Sequence, residues 1–218
     1  MPFRLIRPES LPWLDVASPS PADADRAAAQ LRDDYERWSR WSLGLFAFVV
    51  AILGLFTALG IASTAYALDV GVHLVDVVAV LVAGGIGLAG TSVLALLWRS
   101  GRRLTRAAAA WTRLPYEVSG RTRTAAGWLG ARTVNVEARI FVRVTTSTLA
   151  LLLAVACISV AVRDVVTGTS TVTLAAAAVG VLALLCGLGQ MGGVLRIVSG
   201  LSEADPLWHR IRTSVKRG

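Results

Sequence analysis

The feature that most constrains this chain is the stretch Trp41–Leu68, WSLGLFAFVVAILGLFTALGIASTAYAL, which carries no charged residue. A helix needs about 20 consecutive apolar residues to cross the hydrocarbon core of a bilayer. The stretch exceeds that length. Trp41 stands at one end and Tyr66 near the other, where amphipathic rings settle among headgroups. Comparable runs follow at Leu74–Trp98, Ile140–Val162 and Thr171–Val198. A soluble domain of 218 residues has no use for such runs, and the mean hydropathy of +0.62 agrees. The expected fold is all-α: an integral-membrane, four-helix transmembrane bundle with helical extensions beyond the membrane.

Charge supplies the orientation. The net charge is +8, and nearly all the Arg lies in the N-terminal segment, the 99–139 segment and the C-terminus. The short links between spans hold a single basic residue, Arg163. The positive-inside rule then places both termini in the cytoplasm. In a soluble protein such a surplus would suggest nucleic acid. Here anionic lipid of the inner leaflet is the expected partner, and no nucleic acid is expected. Lys216 is the only lysine, and the Arg bias with abundant Ala and Val points to a high-GC bacterial genome. The expected location is a bacterial cytoplasmic membrane.

Residues 1–19 carry Pro2, Pro8, Pro12 and Pro19 without a helical or strand period, which predicts a mobile tail. A helix is expected from Ser20, with Ser20 as cap, Pro21 in the first turn, and Asp23 and Asp25 at the positive end of the dipole. Asp33–Arg37 and Glu36–Arg40 stand four apart with the acid first, the favourable order on a solvated face. No breaker separates this helix from the first span. Beyond Trp98 the chain turns basic, through Arg99, Arg102, Arg103, Arg106 and Arg113, in a helix that Pro115 should stop. Residues 115–138 then read as a basic loop. The aromatics among these arginines, Trp111, Tyr116 and Trp128, fit interfacial anchoring better than base stacking. Arg143 at the inner edge of the third span should snorkel to headgroups. Near the C-terminus, Leu207, Trp208, Ile211 and Val215 form a helical stripe amid basic residues, as in a helix lying on the leaflet. The expected lipid or partner contacts are Arg102, Arg103, Arg106, Trp111, Trp208, Arg210 and Arg212.

The halves echo one another. Arg40 precedes Gly44 by four residues, and Arg143 precedes Ser147 by four. AAWTRL follows the second span and PLWHRI the fourth. This divides the chain into a tail (1–19), a two-span unit (20–114), a basic loop (115–138) and a second two-span unit (139–218), related by parallel duplication. Each span also carries small residues every three or four positions, the spacing that lets membrane helices approach closely. The packing set is Gly44, Gly54, Gly87, Ala154, Gly180 and Gly187.

Chemistry is sparse. Cys157 and Cys186 lie within spans and act as small hydrophobes. HExxH, GxSxG, P-loop and paired-Cys motifs are absent, so no catalytic, cofactor or metal site is expected. His73 and Asp76 share a helix face but are too few to ligate a metal. No acid stands at mid-membrane depth, where a proton- or cation-coupled pump usually needs one. Gln190 is the notable polar residue within a span, and a candidate polar path would combine it with Thr145, Thr148 and Asp76. The expected function is a non-enzymatic scaffold or regulatory subunit that assembles with itself or a membrane partner. The alternative is a channel, small-solute transporter or permeabilising effector with a path near Gln190.

Overall fold

The computed structural model describes residues 5–15, 20, 22–67, 73–118, 138–168 and 172–201. Of the described residues 92% are helical and none is in a strand. A 3-10 helix, Pro8–Leu14, precedes α1 (Ala24–Glu36), α2 (Trp38–Ala67), α3 (Leu74–Glu117), α4 (Ala138–Thr167) and α5 (Thr173–Leu201). Helices α2 to α5 are long and apolar enough to cross a membrane, the mark of a membrane protein. At 44 residues α3 is about 66 Å long. That is roughly twice the hydrocarbon thickness, so its basic second half must project beyond it.

The chain divides into two compact units. The apolar unit comprises Trp41–Leu97 and Thr145–Gln190. Its packing inverts that of a soluble core. Ala47, Ala51, Ala154 and Ala183 are buried, whereas Phe46, Leu53, Leu81 and Leu152 are each more than half exposed. Large apolar side chains facing outward suit lipid, and small ones facing inward let backbones meet. A Cβ on Gly54 would lie 2.5 Å from Gly87 N, and one on Gly90 2.8 Å from Ala47 O, so α2 and α3 touch backbone to backbone. Between α4 and α5, a Cβ on Gly180 would lie 2.8 Å from the Ile158 side chain, and one on Gly187 2.8 Å from that of Leu151. Ala154 is fully buried on the same side of α4. Gly44 is at ordinary distance, 3.7 Å, from Leu97. These small faces therefore pack within the chain. Helix α4 ends at Gly168, whose φ of +68° is the left-handed cap that glycine adopts at low cost.

The polar unit comprises the described residues up to Arg40, Trp98–Val144 and those from Met191 onward. Ala24, Ala27 and Leu31 of α1 pack on Leu104, Ala107, Ala108, Trp111 and Leu114 of α3. A smaller cluster joins Ile140 and Val144 of α4 to Val194 of α5.

The structure departs from several of the sequence expectations. The proline-rich segment is not a free tail over 5–15. Ile6, Trp13 and Leu14 pack on the α1–α3 core, because prolines that forbid an α-helix still permit a 3-10 turn with apolar side chains on one side. Helix α1 begins at Ala24, capped by Asp23 without a side-chain bond. It also breaks at Arg37 (φ −53°, ψ 128°), although no Gly or Pro stands there. The flanking Tyr35, Glu36 and Arg40 are buried, so tertiary contacts impose the break. Helix α3 runs past Pro115 to Glu117. In a last turn the missing N–H forfeits one bond only, and Val118 N still donates to Leu114 O at 3.0 Å.

Candidate functional site

The expected solvated face of α1 instead belongs to a cluster of buried and partly buried polar groups. Asp34 is fully buried, and Glu36, Arg40 and Arg143 are nearly so. The expected pairs Asp33–Arg37 and Glu36–Arg40 do not form. Glu36 accepts from Arg32 Nε at 2.6 Å, and Arg37 Nη1 approaches Asp34 Oδ1 at 3.7 Å. Asp34 Oδ2 accepts the backbone N–H of Arg7 at 2.8 Å. Asp33 bridges Arg7 Nη1 (2.8 Å) and Arg139 Nη1 (3.0 Å). Arg139 first, with Arg7 adding to it, holds the Asp33 carboxyl below the usual carboxylate range.

Two buried arginines close the cluster. Arg40 donates from Nη1 to Leu5 O at 2.5 Å and from Nη2 to Ser100 Oγ at 2.6 Å. Arg143 donates from Nη2 to Tyr35 O at 2.8 Å, with its guanidinium 4.6 Å from the Tyr35 ring centre. Arg143 therefore does not snorkel. The planar fork suits both a carbonyl and an aromatic face, which makes it a buried tie. Glycines make room for Tyr35. A Cβ on Gly101 would lie 3.4 Å from its ring, and one on Gly193 would collide with its hydroxyl. The N-terminal segment, α1 and one end of each of α2 to α5 thus meet around Tyr35, Arg40 and Arg143 in the polar unit. Sequence spacing missed this cluster because its contacts join residues as far apart as Tyr35 and Arg143.

The candidate polar path is not brought together. Gln190 Oε1 accepts from Thr146 Oγ1 at 3.1 Å, while Thr145 and Thr148 face outward, exposed. Ser147 turns inward and donates to Gly187 O at 2.8 Å. Asp76 sits at the start of α3, where its carboxylate accepts the His73 backbone N–H at 3.3 Å. That is the reciprocal half of a capping box, and it accounts for the three-residue spacing.

The expected contact residues also separate. Trp111 is core, not an exposed anchor. Its indole N–H donates to Trp13 O at 2.8 Å, and the two rings meet edge to face at 5.8 Å. Arg102 stacks on Trp98, 4.8 Å from its ring centre. Arg103 and Arg106 are exposed and, with Leu14, Asp15, Ala107 and Ala110, line an open cleft of about 480 Å³. Trp208, Arg210 and Arg212 lie outside the described residues. Among the described residues no cluster of three or more His, Cys, Asp or Glu is placed to hold a metal. Comparison with protein-family models, with curated proteins and with solved structures finds no match.

Proposed function

We propose that this chain is a non-enzymatic, polytopic protein of a bacterial cytoplasmic membrane that serves as a scaffold or regulatory subunit, assembling with itself or with a membrane partner. In this reading both termini are cytoplasmic, the polar unit faces the cytoplasm, and the two hairpins derive from a parallel duplication. One observation carries it: the polar unit is a packed platform fixed by partly buried ion pairs and by the Arg40 and Arg143 ties, where a simple set of spans needs only loops. The local satisfaction of Gln190 by Thr146 weighs against the transport alternative, since a path-lining amide would offer its oxygen to solvent or solute.

The test is reconstitution of the full chain in liposomes, with leakage of dye and ions measured for the native protein and for Gln190→Leu. The mass of the protein–detergent complex is measured in parallel. Tight liposomes and a defined oligomer or stoichiometric complex support the scaffold. Leakage abolished by Gln190→Leu overturns it in favour of a channel or effector.

A further inference from the structure

Most arginines among the described residues are engaged by the protein itself. Arg7, Arg32, Arg37, Arg139 and Arg163 pair with carboxylates, Arg40 and Arg143 bond carbonyls, and Arg102 stacks on Trp98. Three arginines in the second half of α3 depart from this pattern. Arg99, Arg103 and Arg106 are exposed, and among the described residues none has a hydrogen-bond, ion-pair or ring partner. At positions i, i+4 and i+7 they fall on one face of the helix and rise about 10 Å along it.

Position decides what this face meets. The uncharged run of α3 ends at Trp98, which is 49% exposed, and Arg99 is the next residue of the same unbroken helix. An exposed Trp followed at once by cations is the order found at the edge of the hydrocarbon. The headgroup zone beyond is about 5–7 Å deep on each side. Arg99 stands within that reach, and the long side chains of Arg103 and Arg106 can rise to it. Guanidinium forks match phosphate oxygens in bidentate pairs. Arg103 and Arg106 also share the open cleft with the apolar side chains of Leu14, Ala107 and Ala110, beside the single carboxylate of Asp15. A phosphate next to apolar walls is the character of a lipid headgroup joined to its glycerol, not of a bare ion.

We propose that Arg99, Arg103 and Arg106 form a binding face for an anionic glycerophospholipid, with the phosphodiester held by Arg103 and Arg106 at the cleft mouth and Arg99 meeting the neighbouring headgroup. The proposal deepens the membrane reading above and rests on it for the depth of α3. It needs neither the oligomer nor the orientation.

The experiment titrates the purified full chain, in non-ionic detergent, with fluorescent phosphatidylglycerol or phosphatidylcholine. Native protein is compared with Arg103→Gln, with the triple variant Arg99→Gln/Arg103→Gln/Arg106→Gln, and with Arg26→Gln, an exposed arginine of α1. Phosphatidylglycerol should bind more tightly than phosphatidylcholine. Its affinity should fall about fivefold in Arg103→Gln and on the order of a hundredfold in the triple variant, with Arg26→Gln unchanged. Helix content read by circular dichroism confirms folding, and the single variant carries the test if the triple variant misfolds. Equal binding of both lipids, or native affinity in the variants, overturns the proposal. So does displacement by millimolar inorganic phosphate, which would make this a free-anion site. Tighter binding of a DNA duplex through the same arginines also overturns it. Sedimentation of the same samples reports the assembly state separately, so loss of one reading leaves the other standing.

Discussion

Arg143 donates to the main-chain carbonyl of Tyr35 at 2.8 Å while its guanidinium lies 4.6 Å from the centre of the Tyr35 ring. One side chain thus fixes both the backbone and the ring of a residue 108 positions earlier. Removing it leaves a buried carbonyl without its charged donor, which costs about 1–3 kcal/mol, and loses a desolvated cation–π contact worth up to about 2. Arg143→Ala should therefore lower unfolding stability in detergent by about 2–4 kcal/mol. Arg143→Lys should recover less than half, because a point charge cannot both stack and reach the carbonyl. Full recovery by lysine would show that charge alone matters here.

Gly54 and Gly87 should tolerate no side chain. A Cβ on Gly54 would meet Gly87 N at 2.5 Å and Gly87 Cα at 2.7 Å, and backbone atoms cannot swing away. Gly54→Ala should destabilise the α2–α3 pair by about 1–3 kcal/mol, the usual cost of overpacking. Gly85 lies in the same helix as Gly87, but a Cβ there meets open space, so Gly85→Ala should be neutral. Unfolding in a denaturing detergent, compared between the two alanine variants, checks the contrast. Equal stability of both would mean that α2 and α3 are not in contact at Gly54.

Trp111 separates burial from anchoring. Trp111→Phe keeps an aromatic ring but removes the donor to Trp13 O, and should cost about 1 kcal/mol. Trp111→Ala also empties a buried site and should cost about 3–5 kcal/mol, releasing the 3-10 helix from α3. Limited proteolysis reads the release directly, as faster cleavage within residues 5–15. An interfacial anchor would instead show reduced liposome partitioning with unchanged cleavage.

How much of this was legible depends on the range of each interaction. The spans were readable because hydrocarbon excludes charge locally, residue by residue. The close faces through Gly54, Gly87, Gly180 and Gly187 were readable because close approach requires small side chains at helical spacing. The polar cluster was not. The four-apart rule offered Asp33 to Arg37, but Asp33 bonds Arg7 and Arg139, one from the N-terminal segment and one from α4. Likewise Trp13 and Trp111 have no local signal joining them across 98 positions. The three-residue spacing of His73 and Asp76 fits a shared helix face and a helix cap alike, and only the bond to the His73 N–H identifies the cap.

Asp33 gives the N-terminal segment a pH dependence. Its folded pKa is depressed, chiefly by Arg139 and then by Arg7, so its contribution is fully present above the unfolded value, near 4. It fades as pH falls through the lower folded value. The carboxylate is half exposed, so the effect should be modest and weaken with salt. Protection of residues 5–15 from an acid-active protease should therefore decline as pH falls below about 4 in native protein, and be lower but flat over the same titration in Asp33→Asn. A native profile that stays flat would mean another contact holds the segment.

Gln190 and Thr146 distinguish a local tie from a lined path. Their bond, 3.1 Å long, joins α5 to α4 within the apolar unit. Hydrogen bonds between membrane helices contribute about 0.6 kcal/mol on average, and rarely more than about 1.7. Gln190→Leu should thus change stability by less than about 1 kcal/mol, because the leucine recovers in packing most of what the amide loses in bonding. Thr146→Val removes the same bond from the other side. If the pair is a tie, the double variant should cost no more than the larger single one, since the bond is broken only once. A solute path predicts a different pattern: each change would alter flux while leaving stability additive. Measuring unfolding and liposome flux on the same three variants therefore separates the two roles, and additive stability with altered flux would return Gln190 to the transport reading.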